Sequence, residues 1–377
     1  MKTHPKIPKL RFPEFRKEGG WDQVTLGDII TLEYGISLPE KKRTGQGYAV
    51  VGSNGVVGFH EPAMVSGPVV VVGRKGSVGK INLFESDCTP IDTTFYVVLK
   101  SPNQNNFYFI WRLLTAIRLD SIQDIGAIPG LNRNTVYSQL VTIPGLAEQT
   151  KVADCFSSLD NLIQAEEKKL EALQTHKKGL MQNLFPRPGK TTPRLRFPQF
   201  RNVPFEFSSI SKFARISTGK KDTKDNVANG QYPFFVRSQN IERINSYSYD
   251  GEAVLTSGDG VGVGKNFHYI NGKFDFHQRV YCICKFEPIV NARFFFYYFS
   301  QHFRERVLKM SARNSVDSVR LAMISEMPIW TPHIDEQQQI ASLLTTLDDQ
   351  ITAQTHRIQT LTHHKKGLLQ QLFPTKE

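Results

Sequence analysis

Residues 176–186 read HKKGLMQNLFP, and nearly the same stretch, HKKGLLQQLFP, returns at residues 364–374. The two copies lie 188 residues apart, and the upstream pairs Glu148-Gln149 and Glu336-Gln337 keep the same offset. Duplication at a fixed offset indicates a repeated structural unit. We therefore expect two similar halves, each with its own copy of the segment that ends in this stretch.

The apolar residues before each copy recur in steps of four and three, the spacing of a coiled-coil seam. Polar residues interrupt both seams at matching places, Glu166 with Gln354 and Lys177 with Lys365. Two unrelated surface helices would not share these interruptions, so we expect the helices to pair with each other. The predicted seam residues are Val152, Phe156, Leu159, Ile163, Leu170, Leu173, Leu180 and Leu184, then Ile340, Leu344, Leu347, Ile351, Ile358, Leu361, Leu368 and Leu372.

A second repeat precedes each half: PKLRFPEFR at residues 8–16 matches PRLRFPQFR at residues 193–201. The order arm, domain, helix therefore occurs twice. We place the first domain at 1–145, the first long helix at 146–186, the second domain at 187–333 and the second helix at 334–374. A parallel helix pair would need a long return connection that the chain lacks, so an antiparallel pair is expected.

Each domain shows short β-rich runs separated by Gly and Asn turns, followed by a helical stretch at 107–120 or 292–310. We predict a mixed α/β domain with a small, curved, mostly antiparallel sheet, and Asp335 as N-cap of the second long helix. The fold class is α+β, with two pseudo-twofold-related domains separated by an antiparallel coiled coil.

The formal charge of +12 favours a polyanionic partner, although ribosomal, RNA-binding and membrane-surface proteins share such an excess. Four cysteines without a Cys-x-x-Cys pair indicate buried free thiols in a reducing compartment. The first residues lack a signal-peptide pattern, and the apolar runs are too short to cross a membrane. We expect a cytoplasmic location.

Glycine-rich stretches at 73–80 and 258–265 lie opposite each other in the two halves. Both depart at two positions from the pattern of a P-loop, so a tight turn between strands is the preferred interpretation. Neither a methyltransferase motif nor a zinc-protease motif nor a nucleophile elbow occurs. We expect no catalytic residue, no cofactor and no metal ion in this chain.

Basic and amide side chains cluster in the predicted loops. Any one of them can be an ordinary surface charge, but as a set they suit phosphate contacts and base edges, since Arg reads guanine and Asn or Gln reads adenine. The candidate nucleic-acid contacts are Lys41, Lys42, Arg43, Asn54, Arg74, Lys75, Lys80, Asn132 and Arg133, then Lys220, Lys221, Arg237, Gln239, Lys265, Arg279, Arg313 and Arg320.

The LRFPxF arms at 10–15 and 195–200, and the Glu-Gln pairs leading into helices that end in HKKGL, resemble specificity (S) subunits of type I restriction–modification systems. The resemblance covers essentially the whole chain. It implies two target recognition domains that read a bipartite, asymmetric site on double-stranded DNA, and a coiled coil of spacer helices. It also implies assembly with two modification (methyltransferase) subunits and two restriction subunits, which use S-adenosylmethionine, ATP and Mg.

Two other interpretations belong to different classes of protein. A nuclease acting on its own would cleave DNA as the purified chain with a metal ion. A coiled-coil interaction protein would carry its basic charge incidentally and would show no salt-sensitive DNA binding. Neither explains why a domain and a helix are duplicated together.

Overall fold

The computed structural model describes residues 7–121, 130–310 and 318–374. The chain divides into two compact units, Met1–Glu167 with His356–Glu377 as unit 1, and Lys168–Thr355 as unit 2. Each unit therefore contains one sheet-rich domain, the beginning of one long helix and the end of the other. The predicted α+β fold class with two sheet-rich domains and a pair of long helices is confirmed.

The helices are α1 (Leu26–Ile29), α2 (Phe107–Ala116), α3 (Arg133–Tyr137), α4 (Leu146–Leu184), α5 (Ala292–Met310), α6 (Leu321–Ser325) and α7 (Ile334–Leu372). The strands of unit 1 are β1 (Asp22–Thr25), β2 (Ile30–Tyr34), β3 (Tyr48–Gly52), β4 (Gly55–His60), β5 (Val69–Gly73), β6 (Ile81–Phe84), β7 (Cys88–Pro90), β8 (Thr94–Leu99) and β9 (Leu140–Ile143). Those of unit 2 are β10 (Glu206–Ser209), β11 (Arg215–Thr218), β12 (Tyr232–Phe235), β13 (Glu242–Ile244), β14 (Tyr249–Ser257), β15 (Phe267–Phe276), β16 (Val280–Cys284) and β17 (Pro328–Thr331).

Every predicted seam residue of α4 and α7 is buried or half-buried. Inside unit 1, Asp160 of α4 pairs with Lys365 of α7, and Glu166 pairs with Arg357 at 2.8 Å. Residue numbers rise along one helix while they fall along the other, so the two segments run antiparallel.

The same direction holds inside unit 2. Lys177 of α4 pairs with Asp348 of α7, while Leu184, further along α4, shares a core with Ile340, nearer the start of α7. Lys177 and Lys365 are two of the polar residues that interrupt the predicted seams. Each of them meets an aspartate on the facing helix, and the two pairs occupy equivalent positions in the repeat.

The two domains share one strand order, but unit 1 divides it between two sheets. Unit 2 has this order in one six-stranded sheet, β11-β16-β14-β15-β12-β13, in which β12 and β15 are parallel and the other described pairs are antiparallel. Separate two-stranded sheets are formed by β10 with β17 in unit 2 and by β1 with β9 in unit 1. Unit 1 has β2-β8-β5-β6 in one sheet and β4-β3-β7 in another, because residues 85–87 separate β6 from β7 where β15 is continuous. The predicted small, mostly antiparallel sheet is therefore continuous in unit 2 and divided in unit 1.

The sheet of unit 2 is curved, as predicted. Gly251 of β14 lies opposite Gly272 of β15, with φ angles of +135° and +140° that favour glycine. β15 ends at Phe276, just beyond the start of β14, whereas β16 begins at Val280, opposite Ser257 at the other end of β14. The four residues from Phe276 to Val280 are too few to span the length of β14 if it were straight, so the hairpin of β14 and β15 must bend.

Two local predictions are wrong. The helical stretch predicted at 107–120 stops at Ala116, because Arg118 adopts the left-handed conformation with φ +54° and a separate 3-10 turn follows. Asp335 does not cap α7, since the helix already begins at Ile334 and Asp335 lies in its first turn.

The repeated arm fastens each domain to a long helix through a buried ion pair. Arg11 donates from Nε and Nη2 to the two carboxylate oxygens of Glu148 at 2.8 and 2.7 Å. Both side chains are almost fully buried, and the hydrogen bond to Glu148 raises the pKa of Arg11. In unit 2, Arg196 donates in the same way to both carboxylate oxygens of Glu336, at 2.8–3.2 Å.

The glutamine after each of these glutamates links the helix start to the domain. Gln149 donates to the carbonyl of Pro144 at 2.9 Å and accepts from the backbone of Asn106 at 2.9 Å. Gln337 repeats both bonds with Pro332 and Asn291. The helix-end motif completes the core, as Phe373 packs on Phe109 in unit 1. The Glu-Gln and Leu-Phe-Pro repeats are therefore structural.

Within residues 7–121, 130–310 and 318–374, no helix has the length and apolarity needed to cross a bilayer. In the same part of the chain, no cluster of three His, Cys, Asp or Glu side chains is arranged to hold a metal ion.

The ion pair between Lys177 and Asp348 leads to a prediction about stability. Asp348 also accepts a hydrogen bond from the Tyr297 hydroxyl at 2.7 Å. Asp348→Ala should lower the free energy of unfolding by about 1–3 kcal/mol, since it removes the acceptor that Lys177 and Tyr297 share and leaves Tyr297 only its longer contact with Thr345 at 3.2 Å. Asp349→Ala removes the exposed neighbouring carboxylate and should change stability by less than about 0.5 kcal/mol. Equal losses in urea unfolding of the two full-length variants would contradict a role for this pair.

Candidate nucleic-acid interface

In unit 1, an exposed tyrosine and two arginines meet at the ends of separate elements. Tyr34 is the last residue of β2, Arg74 follows β5, and Arg133 begins α3. The turn after β5 is held to the segment before α3, because the Leu131 N–H donates to the Arg74 carbonyl at 2.9 Å. Residues about 40 and 60 positions apart in sequence are thereby brought into one patch.

Both guanidinium groups of this patch are fixed before any ligand binds. Their central carbons lie 4.9 Å (Arg74) and 5.0 Å (Arg133) from the centre of the Tyr34 ring. Arg74 also donates to the carbonyl of Asp92 at 3.1 Å, and Arg133 to that of Leu32 at 3.3 Å. Tyr34 remains 46% exposed and both arginines are half-buried, so part of each group is accessible to solvent. Such a combination suits phosphate, base edges and base stacking.

In unit 2, two arginines share one carboxylate. Arg237 follows β12, Asp259 follows β14, and Arg279 precedes β16. Arg237 donates to Oδ1 of Asp259 at 3.0 Å, and Arg279 donates to Oδ2 at 2.8 Å. The side chains of Arg237 and Arg279 are 47% and 62% exposed, while that of Asp259 is only 17% exposed. The carboxylate thus lies beneath two cations that face solvent.

A buried histidine supports this group from below. The Nδ1 atom of His277 accepts the backbone N–H of Arg279 at 2.9 Å. Burial lowers the pKa of His277, and the neighbouring Arg237 and Arg279 lower it further against the opposing effect of Asp222 and Asp259. The ring is therefore neutral at physiological pH, and it fixes the backbone of Arg279 without adding charge to the surface.

The two patches occupy the same place in the shared strand order but carry opposite chemistry. Lys75 and Asp259 are equivalent in the fold, each being the second residue after the central strand. In both units this turn forms a β-bridge to the segment before the short helix, Lys75 with Gly130 and Asp259 with Ser318. The fold therefore presents a cation in one domain where it presents a carboxylate in the other.

Several candidates of unit 1 lie outside the patch or serve the fold. Lys41 and Lys42 are exposed on a 3-10 turn, whereas Arg43 donates to the carbonyls of Leu38 and Val57. The Lys80 ammonium donates to the side-chain and backbone oxygens of Asn54 at 2.7 and 3.0 Å. Asn132 caps α3, accepting the Asn134 N–H at 2.9 Å, and Lys75 is exposed beside Arg74.

In unit 2, the predicted residues are more dispersed. Lys221 is joined by a β-bridge to His277 and so lies against the arginine pair. Arg313 lies outside the described residues. The remaining candidates are all exposed and are Lys220, Gln239, Lys265 and Arg320.

Sequence reasoning missed Tyr34, Asp259 and His277. Tyr34 carries no motif, and its position is defined only by contacts with distant turns. For Asp259, a usable signal was present, since the glycine-rich stretch of the second half carries an acid where that of the first half carries Arg74 and Lys75. His277 adjoins Gln278 and Arg279, but only the fold reveals that its ring is buried.

Comparison with known proteins agrees with this duplicated arrangement. The sequence profile of the type I restriction modification DNA specificity domain matches residues 18–175 and again residues 202–363. The chain belongs to this family. Its two family domains correspond to the two halves of the sequence repeat.

Individual relatives match parts of the chain. The EcoDI specificity subunit of Escherichia coli is 29% identical over 157 residues, which cover 42% of this chain and 34% of that protein. The MjaVIII specificity subunit of Methanocaldococcus jannaschii is 26% identical over 278 residues, covering 66% of this chain and 64% of that protein. The chain thus aligns with about one to two thirds of the length of these relatives.

Among solved structures, the S subunit of a type I restriction–modification system from M. genitalium has a TM-score of 0.72 at 14% identity. The alignment covers 99% of this chain and all of that one. A chain from a study of the assembly of a type I restriction–modification complex has a TM-score of 0.55 at 17% identity, covering 93% and 96%. At these identities, the similarity demonstrates a common fold.

The patch around Tyr34 yields a binding prediction. Arg133→Ala should weaken binding of the chain to DNA. Loss of a phosphate contact should reduce the slope of log K against log salt by about one. Lys17→Ala removes an exposed cation of unit 1 outside the patch and should leave the slope unchanged. Titration of a labelled duplex at several salt concentrations measures both, and equal slopes for the two variants would refute the assignment.

Proposed function

We propose that this chain is the DNA specificity subunit of a type I restriction–modification complex. Its two domains read the two halves of a bipartite, asymmetric site on double-stranded DNA. The observation that supports this most directly is the equivalence of Lys75 and Asp259, which gives two matched domains unlike reading surfaces. Unlike surfaces on equivalent turns favour two different half-sites over a palindrome.

The domains are assigned as 1–145 and 187–333, with 146–186 and 334–374 as spacer helices. In the first domain, Arg74, Lys75 and Arg133 contact the duplex around Tyr34. In the second domain, Arg237 and Arg279 do so, with Lys221 beside them. The exposed lysines Lys41, Lys42, Lys220 and Lys265 add phosphate contacts that carry affinity without sequence information.

The chain itself performs no chemistry in this proposal and acts in the cytoplasm. Two modification subunits bind the complex and methylate adenine using S-adenosylmethionine, which requires flipping of the target base. Two restriction subunits supply ATP- and Mg-dependent translocation and cleavage. The contribution of this chain is to select the DNA and to hold its partners on it.

Methylation mapping tests the proposal. The chain, coexpressed with its modification subunits in cells that lack adenine methylation, should produce a methylated motif of two unlike half-sites separated by bases that are not read. Long-read sequencing of the genomic DNA detects the motif. A continuous motif, a palindrome or an unmethylated genome would contradict the proposal.

Exchange of one domain provides the internal control. Replacing residues 20–145 with the same region of a family member should alter one half-site and leave the other unchanged. If both half-sites changed together, the two domains would not read DNA independently.

A further inference from the structure

We propose that Asp259 is a positioning residue that presents Arg237 and Arg279 to guanine in the half-site read by the second domain. This inference rests on the proposed function and extends it from a DNA surface to a base class. Neither a catalytic role nor direct contact of Asp259 with DNA is part of it.

A carboxylate is costly on a surface that binds a polyanion. Two like charges about 4 Å apart repel by about 1 kcal/mol even in water, and more strongly where solvent is excluded. If Arg237 and Arg279 only neutralised phosphates, Asp259 would weaken DNA binding by this surface and would contribute nothing in its favour. We therefore infer that Asp259 favours binding in another way, by orienting the two arginine side chains.

Asp259 holds the two arginine side chains in a defined arrangement. Each oxygen of Asp259 accepts one guanidinium N–H, so the two arginine heads are directed to the two sides of the carboxylate. A guanidinium group has five N–H donors, and one such contact leaves donors for a base edge. An arginine that is already ordered loses less side-chain entropy when it binds, which strengthens a specific contact.

The backbones that carry these side chains are joined to the same turn. The N–H of Gly258 donates to the carbonyl of Arg279 at 2.8 Å, and the side chain of Asn266 donates to the carbonyl of Arg237 at 2.9 Å. The carbonyl of Gly258 in turn accepts the N–H of Val319 at 2.7 Å. The turn that carries Asp259 is therefore hydrogen-bonded to the backbones of both arginines, which limits independent movement of the three groups.

Guanine is the base that this unit fits. Arginine donates two parallel hydrogen bonds to O6 and N7 of guanine in the major groove, the commonest specific contact of this side chain. An aspartate can itself accept from cytosine, but each oxygen of Asp259 already accepts from an arginine and only 17% of its side chain is exposed. We therefore expect at least one G·C pair in the half-site of the second domain, read by Arg237 or Arg279.

Asp259→Asn separates positioning from simple charge. The variant keeps the shape of the side chain but removes the negative charge, so affinity for an unrelated duplex should stay the same or rise. Preference for the specific duplex over the unrelated one should fall by about 5–150-fold, the equivalent of one bidentate contact of about 1–3 kcal/mol. Binding of the assembled complex to both duplexes measures this ratio.

Two further variants and one control complete the experiment. Arg279→Lys retains the charge but lacks the fork, and should lose preference at G·C positions with an unchanged salt slope. Asp250→Asn makes the same charge change at an exposed position of β14 and should leave the preference intact. In methylation maps of Asp259→Asn, the half-site of the first domain should persist, which reports that the complex has assembled.

The outcomes distinguish this inference from the proposed function. If the wild-type complex produces no bipartite motif, the proposed function itself fails. If the wild-type motif is bipartite but the second half-site lacks a G·C pair, only the role of Asp259 is overturned. The same holds if Asp259→Asn and Arg279→Lys both retain the wild-type preference.

Discussion

The bidentate ion pair between each arm and the start of each long helix is the constraint on which the other features depend. Arg11 and Glu148, and likewise Arg196 and Glu336, are buried pairs whose charges must compensate each other. Removing one partner of such a pair leaves an uncompensated buried charge, at a cost of about 3–5 kcal/mol. The pair therefore fixes the start of each long helix relative to its own domain. The adjacent glutamine fixes the loop that precedes α2 or α5.

The repeated residues and the divergent residues have separate roles. The LRFPxF arm, the Glu-Gln pair and the LFP ending all lie in the junction between domain and helix, where their contacts are reproduced almost bond for bond in both units. The turn after the central strand has the same backbone contacts in both units but different side chains. A constant frame with variable turns is how one fold can serve different recognition tasks.

The frame could be predicted from the sequence because its signals are periodic and local. The steps of four and three placed the seam, the shared offset indicated the duplication, and the lack of a long return connection indicated the antiparallel pair. The end of α2 could not be predicted, because it depends on the left-handed conformation of Arg118. The division of the first sheet likewise depends on how residues 85–87 pack in three dimensions, which strand propensities do not encode.

The site was only partly predictable for the same physical reason. A basic residue in a loop can point to solvent or satisfy the backbone, and sequence composition does not distinguish Arg43, which binds two carbonyls, from Arg279, which faces outward. Tyr34 and Asp259 act through contacts made by turns that are distant in sequence. The exchange of the Arg74-Lys75 pair for an acid in the glycine-rich stretch was visible in the sequence. It gained meaning only once Lys75 and Asp259 were seen to occupy equivalent positions in the two domains. Divergence between aligned halves is therefore most informative where the backbone contacts around it are unchanged.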